Sequence, residues 1–161
     1  MTLDGMTLDQ QLQDLIQNAP QDGTTPAAVA AIAPALKEIA QQLRHLQYYI
    51  LQTLEQQWVM TTLNHRGQTN AQKNVVYAFA SLKDATANPL AKDPQIMAFP
   101  MPVTHILFQM VAMTSVDSII FFEVAGNMNT GTEVTRANLQ ALIQAFLQQS
   151  QGGVRVPPDL A

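Results

Sequence analysis

Three histidines, His45, His65 and His105, are the side chains of this sequence best suited to metal ligation or proton transfer. Zinc sites need ligands at short fixed spacings, or a helical pair four residues apart. These three lie at least twenty residues from one another, and no cysteine is present to complete a set. They read as one helix-surface residue, one hairpin-loop residue and one residue near a helix start. The lack of cysteine also excludes disulfides and thiolate catalysis. Ser81, Ser115, Ser118 and Ser150 stand in no nucleophile-elbow context such as G-x-S-x-G. "GNMNTG" (Gly126 to Gly131) places two glycines ahead of a helical pattern, where backbone N–H groups could meet an anion. It lacks the lysine of a phosphate loop and the dinucleotide spacing, and reads as a strand-to-helix turn. Asp117 and Glu123 bracket a strand, and by strand rise they sit about 20 Å apart, too far for paired-carboxylate catalysis. No enzyme, cofactor or metal is expected from these residues.

The remaining candidates are apolar. Met97, Met101, Met110 and Met113 cluster in sequence, with Met60 and Met128 elsewhere. Methionine adapts to varied apolar shapes and suits both core gaps and binding surfaces. A groove lined by Met97, Phe99, Met101, Ile106 and Met110, taking a pigment- or lipid-like ligand, is one reading; a filled core is the other. Tyr48, Tyr49 and Trp58 gather near the end of the longest helical pattern, at the core edge or at an interface.

Composition narrows the classes. The chain has 161 residues, of which 47% are hydrophobic and only 12% charged. That length suits one domain with trimmings. The charged share is about half the usual one, so solubility rests on uncharged side chains, glutamine above all. Net charge is -4 with 8 Lys+Arg, which leaves no electrostatic footprint for nucleic acid or anionic lipid. The first residues, "MTLDGMTLDQQL", hold early acids and no basic leader, so a cytoplasmic location is expected. "PMPVTHILFQMVAMTSVDSIIFFE" (Pro100 to Glu123) is long and apolar, but Pro100, Pro102 and five polar residues rule it out as a membrane span.

These side chains must be held by an α+β framework. Residues 1–24 read as a short helix, with Leu8, Leu12, Leu15 and Ile16 on one face and Thr7 or Asp9 as cap, followed by a linker. Residues 25–150 read as the domain and 151–161 as a loose tail. Val29, Ile32, Leu36, Ile39, Leu43, Leu46 and Ile50 step by three and four, the spacing of a long amphipathic helix. Pro34 should kink or split it, leaving one helix from Ala35 to about Gln56. Trp58 to Leu63 and Asn74 to Leu82 read as an antiparallel hairpin. Gln95 to Val103 reads as an edge strand limited by proline, and Thr104 to Met113 as a helix. A buried strand ends at Val124, "AGNMNTGTE" is a loop, and Thr132 caps a last helix. The expected sheet is antiparallel, of three to four strands, packed on a long N-terminal helix, an inner helix and a C-terminal helix.

"LRHLQYYILQTLEQQWVMTTL" and "VDSIIFFEVAGNMNTGTEV", with the glutamine-rich, cysteine-free style of residues 34–143, resemble small uncharacterised proteins of cyanobacteria. That resemblance implies a cytoplasmic location and brings no activity. The element order is loosely similar to secretion-chaperone-like domains, which implies dimerisation and protein binding. The heptad stripe exceeds what a small sheet can cover. The expectation is therefore a non-enzymatic interaction or assembly module, homodimeric through Leu36, Ile39, Leu43, Leu46, Tyr49, Ile50 and Trp58, or bound to another protein. A small apolar-ligand binder is the alternative.

Overall fold

The structure, a computed structural model, describes residues 7–17, 25–55, 57–64 and 72–154. Helix α1 is Leu8–Gln17 and α2 is Thr25–Gln41. Strands β1 (Gln47–Thr53), β2 (Thr61–Asn64) and β3 (Gln72–Phe79) follow. Next come helix α3 (Leu82–Ala87), a 3₁₀ turn at Pro89–Lys92, strand β4 (Ile96–Pro102) and helix α4 (Val103–Ala112). Strands β5 (Ser118–Val124) and β6 (Asn127–Thr135) and helix α5 (Arg136–Val154) complete the chain.

The fold is α+β, but the sheet is six-stranded and mixed. Its order is β4-β1-β3-β5-β6, with β2 on the same side of β3 as β1. β3 and β5 run parallel, Val75 beside Ser118 and Ala78 beside Phe121. All other pairs are antiparallel, including the expected β2–β3 hairpin. The purely antiparallel sheet expected from the sequence is therefore corrected: α3, β4 and α4 form a crossover between two parallel neighbours, which no local turn signal announces. β1 meets β3 only at Tyr49 and Ile50. β1 runs on beside β4 to Thr53, the chain then turns, Trp58 bridges Gln52, and β2 takes up the pairing with β3.

Four helices cover one face. The core there joins Leu36, Tyr48, Ile50, Val76, Ile106, Leu107, Met110, Ile119, Phe121 and Leu139, all fully buried, with residues of α1 and α2 packed above. Alternation along β5 sends Ile119 and Phe121 to this face and Ile120 and Phe122 to the other. The second face is covered by α3 and the 3₁₀ turn, against Leu51, Phe79 and Phe122.

The long helix from Ala35 to Gln56 is also corrected. α2 passes through Pro34 unsplit and ends at Gln41. Two causes act together. "YYI" is aromatic and β-branched and favours a pleated surface. Distant groups also capture the turn between α2 and β1: Glu123 accepts from the Arg44 N–H, and the Gln11 amide donates to the Leu46 carbonyl. The stripe positions are thus shared between a helix and a strand. "AGNMNTGTE" forms most of β6 and not a loop, so the last helix is capped by Thr135 and not Thr132, through its hydroxyl and the Asn138 N–H. Trp58 bridges Gln52 just ahead of β2, so the strand expected from Trp58 begins only at Thr61. Residues 1–6, 18–24 and 155–161, which carry the first "MTLD" copy, the linker and most of the tail, lie outside the described residues, as does His65.

α1 docks through a capping box and a buried amide. Thr7 and Gln10 satisfy each other's backbone N–H groups at 2.8 and 3.2 Å. The Gln11 side chain is fully buried: its Nε2 donates to the Leu46 carbonyl, and its Oε1 accepts from both the N–H and the hydroxyl of Thr104.

Candidate functional site

Two concave regions stand out. The larger, about 690 Å³, lies on the second sheet face between α3 and β6. Tyr77, Ile120 and Phe122 form its floor. The Tyr77 and Phe122 rings stack at 5.6 Å, and Phe79 stacks on Phe122 at 5.5 Å. Gly131 lies across from Phe122 in the β5–β6 register. A Cβ there would meet Ile120 Cγ2 at 2.9 Å, so glycine lets the aromatic floor approach β6. The rims carry acids. Asp84 accepts from the Gly126 N–H at 2.8 Å. Glu133 pairs with Lys73, whose hydrogen bond holds that carboxyl below its ordinary range.

The second region, about 390 Å³, opens beyond the carboxyl ends of β3 and β5, between residues 44–49 and 80–82. A clasp lies beside it. The Tyr48 hydroxyl donates to Glu123 Oε1 at 2.9 Å and accepts from the His45 N–H at 3.2 Å. Glu123 Oε2 accepts from the Arg44 N–H at 3.1 Å. His45 Nε2 lies 2.5 Å from the Glu123 carbonyl, which makes Nε2 the protonated nitrogen. His45 stands edge-on to Tyr48, and Tyr48 edge-on to Phe121. Burial pushes the Tyr48 phenol far above its usual value, and the Glu123 carboxylate pushes the same way. Tyr48 is therefore a neutral donor near pH 7, and its partner carboxylate already holds two hydrogen bonds. The group ties chain segments together and presents no poised base.

The interface candidates divide. Leu36, Leu43, Ile50 and Trp58 are buried in the helix-side core, Ile39 packs against it, and Tyr49 faces the other side of the sheet. Leu46 is exposed at 39%. The groove candidates divide as well: Ile106 and Met110 are fully buried, Met101 packs beside them, Phe99 is half-buried and Met97 is 49% exposed on β4. The structure brings Met101, Ile106 and Met110 together in one core and leaves Met97 outside it.

Neither Asp117 nor His105 joins Glu123. Asp117 accepts from the Asn74 N–H at 2.8 Å at the opposite end of β5. His105 meets Asp14 at 3.4 Å and the Gln11 carbonyl at 3.2 Å, and burial lowers its basicity. The described residues hold no group of three metal-binding side chains, and no helix among them is long and apolar enough to cross a membrane. Comparison with protein-family models, curated proteins and solved structures finds no match.

Proposed function

We propose that the protein is a non-enzymatic interaction module that pairs with a second copy of itself along β6. One observation carries this reading. The outer strands of the main order differ: β4 holds Pro100 and Pro102, whereas nine-residue β6 holds neither proline nor lysine. Proline and lysine are two common guards of a free edge, and the regularly paired stretch of β6, Gly131 to Thr135, carries neither, which favours strand pairing. The backbone groups of β6 that face away from β5 pair with no strand of the described chain. Antiparallel pairing about a two-fold axis would satisfy this edge with its own copy. Sedimentation equilibrium on the full chain tests it. A dimer is expected, and Thr132→Lys, which sets a charge on that edge, should give a folded monomer. A wild-type chain that stays monomeric at high micromolar concentration overturns it.

A second reading, a small apolar ligand bound in the larger groove, is favoured by the groove's size and its stacked aromatic floor, both within the range of ligand pockets. Native mass spectrometry of protein purified from its source would detect such a molecule. Gly131→Ala, which narrows the groove, should weaken its retention.

A further inference from the structure

The smaller cleft has features that neither reading above uses. Its position, outside the carboxyl ends of two parallel strands, is where open sheets with parallel strands collect ligands. Arg44 lines it, is exposed, and its guanidinium has no carboxylate within ion-pair distance among the described residues. The nearest acid, Glu123, takes the backbone N–H of Arg44 and the Tyr48 hydroxyl instead. The segment that carries Arg44 is thus fixed while its charge stays unneutralised by a direct partner. His45 lines the same cleft with Nε2 committed to the Glu123 carbonyl, leaving Nδ1 without a partner among the described residues. On the opposite wall, the Ser81 oxygen accepts from the Asp84 N–H, so its hydroxyl proton remains available for donation. Tyr49 supplies an aromatic wall.

We propose that this cleft binds a small monocarboxylate, its carboxylate on Arg44 and the Ser81 hydroxyl and its apolar body against Tyr49. A planar guanidinium matches a carboxylate with two parallel hydrogen bonds, which a lone lysine cannot do. One positive side chain with Glu123 close behind favours a singly charged ligand over a doubly charged one. The volume, about 390 Å³, is ample for a molecule of benzoate size. The proposal stands independently of self-pairing along β6, which lies elsewhere on the sheet.

The test is a titration of the full chain followed by amide NMR, with benzoate, acetate, phosphate and chloride as probes at constant ionic strength. Benzoate is expected to give saturable shifts at Arg44, His45, Ser81 and Leu82. Arg44→Gln should weaken that binding by about tenfold or more, Arg44→Lys less, and neither should alter the urea midpoint, since the side chain is exposed. Tyr49→Leu should reduce the preference for benzoate over acetate. Shifts matched by chloride, shifts that survive Arg44→Gln undiminished, or phosphate binding more tightly than benzoate would each overturn the assignment.

Discussion

The Tyr48 hydroxyl and Glu123 Oε1 meet at 2.9 Å across 75 residues of sequence, joining the start of β1 to the end of β5. Removing that hydroxyl in Tyr48→Phe leaves a carboxylate oxygen and the His45 N–H each short of a partner. The expected loss is about 1–3 kcal/mol, read as a lower urea midpoint with an unchanged slope.

Alkali should act on the same group. An ordinary phenol ionises near pH ~10, and burial raises the folded-state value of Tyr48 above that. The unfolded chain then sheds its proton first. The stabilisation is complete below pH ~10 and declines as pH rises beyond it. Urea unfolding across this range should show the decline in the wild type and a shallower one in Tyr48→Phe.

Gln11→Ala should loosen α1. Without the amide, the buried Thr104 N–H and hydroxyl lose their acceptor and the Leu46 carbonyl loses a donor. A cost of about 3 kcal/mol or more is expected, since three groups lose a partner and each orphaned buried group costs about 1–3. Hydrogen exchange should show α1 amides opening ahead of the sheet.

His105 sets an acid limit. Burial lowers its folded-state pKa, while Asp14 partly restores it. The unfolded histidine takes up a proton near pH ~6.5, where the folded one resists. The stabilisation is therefore complete above that pH and is lost as pH falls through the lower folded value. An NMR titration should place His105 below an ordinary histidine, and Asp14→Asn should move it further down.

Two glycines should respond for different reasons. Gly126 has φ +82 with open space around a would-be Cβ, so Gly126→Ala costs about 1 kcal/mol through backbone strain alone. Gly131→Ala instead presses on Ile120, and its signature should include altered chemical shifts at Phe122 and Tyr77. Calorimetry and NMR on the pair separate the two effects.

Local signals carried much of the framework. The proline-limited run at β4, the helical spacing at α4 and the apolar block at β5 were all legible, because each is decided within ten residues. The end of α2 was not, because Ile39, Leu43, Leu46 and Ile50 fit a helix while Tyr48 and Ile50 fit a strand equally well. Contacts from Glu123 and Gln11 decide between them, and those lie far along the chain. The aromatic groove left one trace. "SIIFFEV" is apolar at consecutive positions, so both faces of β5 had to be covered, and the second cover is thin. The clasp at Tyr48 left none, since nothing local links residues 45, 48 and 123.

The seam between Val75 and Ser118 has a kinetic consequence. During synthesis β3 leaves the ribosome with β1 and β2 already available, but the strand that completes its other edge follows only after α3, β4 and α4. Such distant contacts cost loop-closure entropy before they return any stabilisation, and they set folding speed. The half-built sheet therefore waits with β3 open on one side, its buried Val75, Val76, Ala78 and Phe79 uncovered there, and that interval is when this chain is most exposed to aggregation.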